Sequence, residues 1–173
     1  MSEPQPDSTP QNAMFVERPD GLRHPSAVHA GAFLGLVRAG HTLDRNLDAE
    51  LRAGHGLSLR GFEVLLHLAV FSPNGQLRMT QLAAQTPLSQ SRVSRLVAEL
   101  ESQRLVARST DEDDSRAVTV TVTDRGLEQL RQAQDTHYEG LRRRLFSCLS
   151  TDEVKQLGEL TAKILRANDQ DDR

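Results

Sequence analysis

Leu88-Ser89-Gln90-Ser91-Arg92-Val93-Ser94-Arg95-Leu96-Val97-Ala98-Glu99-Leu100 is the stretch from which the fold is read. Val93, Leu96, Val97 and Leu100 recur at spacings of three and four, the apolar stripe of a helix. At about 100° per residue, Ser91, Ser94, Arg95, Ala98 and Ser102 take the opposite face, with Arg92 and Glu99 on its flanks. That outer face is small and hydroxylated, with arginine towards its N-terminal end. Small side chains let a helix sit deep in a groove about 12 Å wide, and arginine reaches guanine edges or phosphates. Ser89 stands at the N-cap position, and the N–H groups behind it aim at phosphate. A solvated surface helix has the same composition, so its neighbours decide between the two readings.

Before it, Gln76 to Met79 is a short extended segment. Thr80 then caps a brief helix, Gln81 to Gln85, and Thr86-Pro87-Leu88 breaks it. After it, the helix ends near Arg104 and Leu105 to Ser109 is a strand candidate. Thr110 to Ser115 is a polar turn. Val118, Val120 and Val122 alternate with Thr119, Thr121 and Thr123, the period of a half-buried strand. Helix, three-residue break, helix, hairpin is the order of a winged helix-turn-helix, with Arg116 at the hairpin tip.

The flanks are helical. Phe33, Leu36, Val37, Leu43, Leu47 and Leu51 form a stripe that Gly54 and Gly56 end. A second helix, from Ser58 to Phe71, is apolar nearly all round and therefore deeply buried. A long helix from Thr123 carries Leu127, Leu130, Tyr138, Leu141 and Leu145. Ser150 and Glu153 form a capping box that opens a last helix. The expected organisation is a disordered or loosely docked tail over 1–24, an N-terminal helix over 25–57, a winged-helix lobe over 58–122, C-terminal helices over 123–168 and a frayed end over 169–173. The fold class is mainly α with a small β-wing.

These residues resemble the MarR family of bacterial transcription regulators. The resemblance rests on Leu82-Ala83-Ala84, on Leu88 to Val97, on Leu100-Glu101 and on Leu105-Val106. It also rests on Asp114-Ser115-Arg116-Ala117 in the wing and Val122-Thr123-Asp124-Arg125-Gly126 at the long helix, similar to Asp-Arg-Arg followed by Leu-Thr-x-x-Gly. It implies a homodimer whose first and last two helices interlock and whose lobes bind a pseudo-palindromic double-stranded operator, half-sites about 34 Å apart. The implied DNA-binding residues are Ser89, Gln90, Ser91, Arg92, Ser94, Arg95 and Arg116, with Asp114 bracing the wing. The apolar stripes exceed what a small lobe can cover, which agrees with a partner chain.

Two features depart from the family pattern. Ser115 replaces the first wing arginine, and of the four acids Asp111 to Asp114 all but the bracing Asp114 should repel phosphate. Arg78, Arg92, Arg104 and Arg108 are the candidates to compensate, each also readable as solvated surface charge. The resemblance further implies a small anionic or phenolic ligand that relieves repression. Arg38, His41, Asp44, Arg45 and His67 are the candidates to meet it, against the plain reading that they face solvent. No two of the six His stand at i, i+4 on a helix, so no metal and no cofactor are expected. Arg142-Arg143-Arg144 points three ways and reads as a solvated face or as interdomain ion pairs. Cys148, the one cysteine, reads as a buried free thiol.

Composition agrees. A chain of 173 residues with 37% hydrophobic and 26% charged residues has a modest core and no disulfide. Its net charge of −3 excludes a generally basic coat but not a local basic patch. No apolar run spans a bilayer, and Met1 to Asn12 is polar without a secretion signal, so a cytoplasmic protein is expected. No phosphate loop, nucleophile elbow or paired acid and base points to an enzyme. The expected function is a homodimeric repressor of its own and neighbouring genes. The rival is a winged-helix protein–protein interaction module, which the acidic loop favours and the outward Ser91, Ser94 and Arg95 disfavour.

Overall fold

The computed structural model describes residues 13–86, 88–110 and 118–171. The order of elements is β1 (Phe15–Glu17), β2 (Arg23–Pro25), α1 (Ala27–His55), α2 (Leu59–Leu66), β3 (Gln76–Arg78), α3 (Met79–Ala84), α4 (Gln90–Ser102), β4 (Val106–Thr110), β5 (Val118–Val122), α5 (Asp124–Arg144) and α6 (Thr151–Asp171). The chain divides into two units inside α1, between Leu43 and Asp44.

In the N-terminal unit, β1 and β2 pair antiparallel, Val16 opposite His24. Where a disordered or loosely docked tail is expected, residues 15–17 and 23–25 form paired strands. Arg18-Pro19-Asp20-Gly21 turns the chain: Gly21 takes a positive φ of 80°, and the Asp20 carboxylate accepts the Leu22 N–H at 3.1 Å. Proline before Asp-Gly is a turn signal in its own right. The Arg23 guanidinium lies over the Phe15 ring, 5.2 Å from its centre. The first part of α1 exposes Val28, Phe33, Leu34, Leu36 and Val37.

The second unit is a winged-helix lobe with the long helices. Its sheet has the order β3-β5-β4, antiparallel throughout, with Val120 opposite both Leu77 and Arg108. Phe62, Leu65, Leu68, Leu82, Val93, Val97 and Val120 are fully buried between α2, α3, α4 and the sheet. α2 is as buried as its all-round apolar sequence requires. It does not stay α-helical to Phe71, because residues 67–71 continue it in π-helical form.

Caps fix the boundaries. Ser58 Oγ accepts the Gly61 N–H at 3.0 Å, and Thr123 Oγ1 accepts that of Gly126 at 3.0 Å. The Ser150–Glu153 box is present in both directions, at 2.7 and 3.3 Å. The cap assigned to Thr80 is corrected. α3 starts two residues earlier than expected, at Met79, and the Gln81 side-chain Oε1 reaches back to accept the Arg78 N–H at 3.0 Å. α6 continues to Asp171, past the expected fraying point at residue 169. Cys148 is exposed, not buried, because it lies in the single turn joining α5 to α6.

Candidate nucleic-acid interface

α4 buries Val93, Val97 and Leu100 and half-buries Leu96, while Ser89, Gln90, Ser91, Arg92, Ser94, Arg95, Ala98 and Ser102 are exposed. The structure therefore brings the six α4-side candidates together on one solvent face. Ser89 occupies the N-cap position, but its hydroxyl caps no backbone group. It meets Ser91 Oγ at 3.2 Å instead. The Gln90 and Ser91 N–H groups consequently have no acceptor among the described residues, which leaves the positive end of the helix dipole open to an anion.

Charge is distributed in favour of this face. Arg52 pairs with Asp48 at 2.7 Å, Arg60 with Asp44 and Glu63, Arg142 with Glu139, and both Arg143 and Arg144 with Glu50. Adjacent in sequence, Arg143 and Arg144 nonetheless converge on one carboxylate, departing from the expectation of three divergent directions. Arg92 and Arg95 pair with no acid among the described residues. They border a pocket of 290 Å³ shared with Arg52, Arg60, Asp48 and Glu99. Burial raises the Asp48 carboxyl, but the Arg52 hydrogen bond, the Leu59 N–H and the charges of Arg52 and Arg60 outweigh it and hold the group below its ordinary value.

Backbone hydrogen bonds tie the end of α4 to the start of α5. Arg104 takes a left-handed φ of 61°, and the Leu105 N–H closes on the Leu100 carbonyl at 2.9 Å. The Leu105 carbonyl accepts the Thr123 N–H and Oγ1–H, each at 3.1 Å. Gly126 follows because its ideal Cβ would stand 2.0 Å from that oxygen. The glycine of the Val122-Thr123-Asp124-Arg125-Gly126 motif is thus a packing requirement.

Of the arginines offered as compensating phosphate ligands, Arg108 is already engaged: Glu101 Oε2 takes its Nε at 2.8 Å and a terminal N–H, and Oε1 takes its backbone N–H at 3.2 Å. Arg78 and Arg104 are exposed. Arg116, Asp114 and the acids Asp111 to Asp113 lie outside the described residues.

The ligand candidates fall in both units. Arg38 and His41 are exposed in the N-terminal unit. In the other, Arg45 is exposed, the Asp44 carboxylate is held by Arg60, and the His67 ring lies 5.5 Å from that of Phe71. One half-buried group escaped sequence reasoning. His137 packs its ring 4.4 Å from Phe62, and its Nδ1 is buried without a hydrogen-bond partner. Burial pushes its pKa below the ordinary value, against the opposing charge of Glu63. Nothing in the spacing of α5 marked it. No cluster of His, Cys, Asp or Glu among the described residues has the arrangement of a metal site.

A family model described as MarR family matches residues 55–117. The fold superposes on the crystal structure of Sco3205, a MarR family transcriptional regulator from Streptomyces coelicolor in complex with DNA. The TM-score is 0.79 at 30% identity, over 83% of this chain and 93% of that one. The chain belongs to the MarR family.

A second MarR regulator of that organism, AbsC, superposes with a TM-score of 0.76 at 27% identity, over 84% of this chain and 99% of the other. The transcriptional repressor MprA of Escherichia coli K12 is 28% identical over 118 residues, 66% of each chain, so just under two thirds of that repressor is spanned. The members it resembles are transcription regulators, not enzymes, and the mostly helical architecture with a small antiparallel wing is theirs. No helix among the described residues is long and apolar enough to cross a membrane.

Proposed function

We propose that this MarR-family chain is a homodimeric, sequence-specific repressor that acts in the cytoplasm on its own and neighbouring genes. The observation that carries the reading is the outer face of α4. It combines small hydroxyl side chains, two arginines without acidic partners among the described residues and an open helix N-terminus. Ser91, Ser94 and Arg95 meet base edges in the major groove, while Ser89, Gln90 and Arg92 hold the flanking phosphates. Arg116 enters the neighbouring minor groove, and Asp114 braces it. The family likeness to a regulator crystallised with DNA supports the DNA-binding reading.

Dimerisation is supported by what the single chain leaves uncovered. The first half of α1 exposes Phe33, Leu36 and Val37, and α6 exposes Leu160, Ile164 and Leu165. Apolar helix faces of this kind need a second chain in water. Sedimentation at micromolar protein concentration is expected to give a dimer.

The operator test is selection from random duplexes and from genomic fragments, followed by titration across a salt series. Wild type is expected to select a pseudo-palindrome, with affinity falling steeply as salt rises. Arg95→Ala should lose about 1–3 kcal/mol and relax specificity at one base position, whereas Arg92→Ala should weaken all sequences alike. A folded dimer that selects nothing at low salt would leave the protein-interaction reading. Relief by a small anionic or phenolic ligand, with Arg38, His41, Asp44, Arg45 and His67 as its contacts, is tested by adding aromatic carboxylates and phenols to the preformed complex. For Asp44 the ligand must compete with Arg60.

A further inference from the structure

β4 is the free edge of the sheet, so the outward N–H of Arg108 has no neighbouring strand to bond. The group that takes it belongs to another element. Glu101, in the last turn of α4, accepts this N–H at 3.2 Å through Oε1. Its Oε2 accepts Nε at 2.8 Å and a terminal N–H of the same residue. One carboxylate thus grips both the backbone and the guanidinium of a wing residue seven positions away. A planar guanidinium held at two nitrogens fixes an angle as well as a distance.

We propose that Glu101 and Arg108 are positioning residues for DNA binding, a brace that sets the angle between the groove-reading helix and the wing; this rests on the reading of the chain as a DNA-binding regulator. The turn between α4 and β4 is already closed by Leu105, Arg104 and Thr123. It anchors only the root of the wing, at Val106. Further along, β4 pairs on one side alone, with β5, which β3 backs at residues 119–121, so the outer side of β4 has no strand to hold it. The Glu101 contact at Arg108 ties that outer side to α4 at the middle of the strand. Both side chains are about one-third exposed, so the pair adds little to stability, and what it supplies is geometry. The Arg108 hydrogen bond holds the Glu101 carboxyl below its ordinary pKa, and Glu101 raises Arg108 in return, which favours the charged form of each.

The brace makes a prediction opposite in sign to plain electrostatics. Removing the Glu101 charge beside DNA should tighten binding if charge alone matters, because a carboxylate repels phosphate. If the brace matters, binding weakens. The experiment uses the full chain and a duplex selected by wild type. Affinity and methylation protection by dimethyl sulfate are compared for wild type, Glu101→Ala and Arg108→Lys. Dimethyl sulfate reports guanine N7 in the major groove and adenine N3 in the minor groove. Glu101→Ala is expected to bind about tenfold more weakly, the scale of one lost specific contact. It should lose adenine N3 protection under the wing and keep guanine N7 protection under α4. Arg108→Lys, which keeps the charge but not the fork, should show the same pattern in weaker form. Circular dichroism should show all three equally folded, since alanine is favourable within a helix. Unchanged or tighter binding by Glu101→Ala overturns the brace, and so does an equal loss of both protections. Failure of wild type to select any duplex overturns the DNA-binding reading itself, an outcome separate from failure of the variants alone.

Discussion

Gly126→Ala is the substitution for which the structure gives the sharpest stability prediction. An ideal Cβ there lies 2.0 Å from the Leu105 carbonyl oxygen, 3.0 Å from its carbon and 3.0 Å from Val122 Cγ2. Ordinary carbon–oxygen contact needs more than an ångström of extra room, and the obstacle is backbone. The Leu105 carbonyl cannot retreat without stretching its bonds to the Thr123 N–H and hydroxyl, both at 3.1 Å. Overpacking costs about 1–3 kcal/mol and two weakened hydrogen bonds about 1 kcal/mol each, partly offset by the roughly 1 kcal/mol that alanine gains over glycine within a helix. The net loss is about 2–4 kcal/mol. At fixed protein concentration, with a urea slope near 2 kcal/mol per molar, the unfolding midpoint should fall by about 1–2 M. Gly140→Ala is the internal control. Its Cβ meets Leu47 Cδ2 at 2.7 Å and Glu50 Oε2 at 2.9 Å, the ends of side chains that can swing aside. It should therefore stay within about 1 kcal/mol of wild type. If Gly126→Ala unfolds at or above the wild-type midpoint, the close approach of α5 to Leu105 is not what the glycine serves.

Arg104→Gly should raise the same midpoint by about 0.5–1 kcal/mol equivalent, because Arg104 holds a left-handed φ of 61° that glycine adopts without a Cβ penalty; a lower midpoint refutes this. Asp48→Ala strips the acceptor from the N–H of buried Leu59, 2.9 Å away, at the first turn of α2, and should cost about 1–2 kcal/mol in urea unfolding. The Asp48 carboxyl is depressed in the folded chain, so its stabilisation is complete above the ordinary value of 3.8 and is lost as pH falls through the lower folded value. His137 acts in a higher window. Burial favours its neutral form, so the unfolded chain binds a proton first and stability declines as pH falls from about 6.5 towards the depressed folded value. Urea midpoints between pH 8 and pH 5 should show that decline in wild type and a shallower one in His137→Leu; parallel profiles would rule out the histidine.

What was legible in the sequence was what repeats or caps. The faces of α4 followed from a 3.6-residue period and the β5 strand from a period of two. Ser58, Thr123 and Ser150 marked helix starts because their hydroxyls bond within three residues. Two caps differ in detail from expectation. Ser89 stands at the expected N-cap but its hydroxyl meets Ser91 Oγ, whereas Thr80 lies inside α3, whose start is marked by the Gln81 side chain accepting the Arg78 N–H. The β1–β2 hairpin was missed because three-residue strands show no alternation, although Pro19-Asp20-Gly21 announced its turn. The π-helical end of α2 and the orphaned Nδ1 of His137 have no local signature at all, because both arise from packing between elements far apart in the chain.

Net charge says little about the α4 face, and the reason is physical. A total of −3 weighs every carboxylate equally. In the fold, Asp44, Asp48, Glu50, Glu63, Glu101 and Glu139 each hold an arginine within ion-pair distance, so their fields largely cancel a few ångströms away. Arg92 and Arg95 are paired with no acid among the described residues, and they stand beside an uncapped helix N-terminus. The field that a phosphate meets at α4 is set by these groups and not by the sum. Neutralising a remote pair, as in Glu139→Gln with Arg142→Gln, should therefore leave the salt dependence of operator binding unchanged. Arg92→Ala should make it shallower by about one counterion. Equal effects from the remote pair and from Arg92 would show that overall charge, not the α4 face, governs binding.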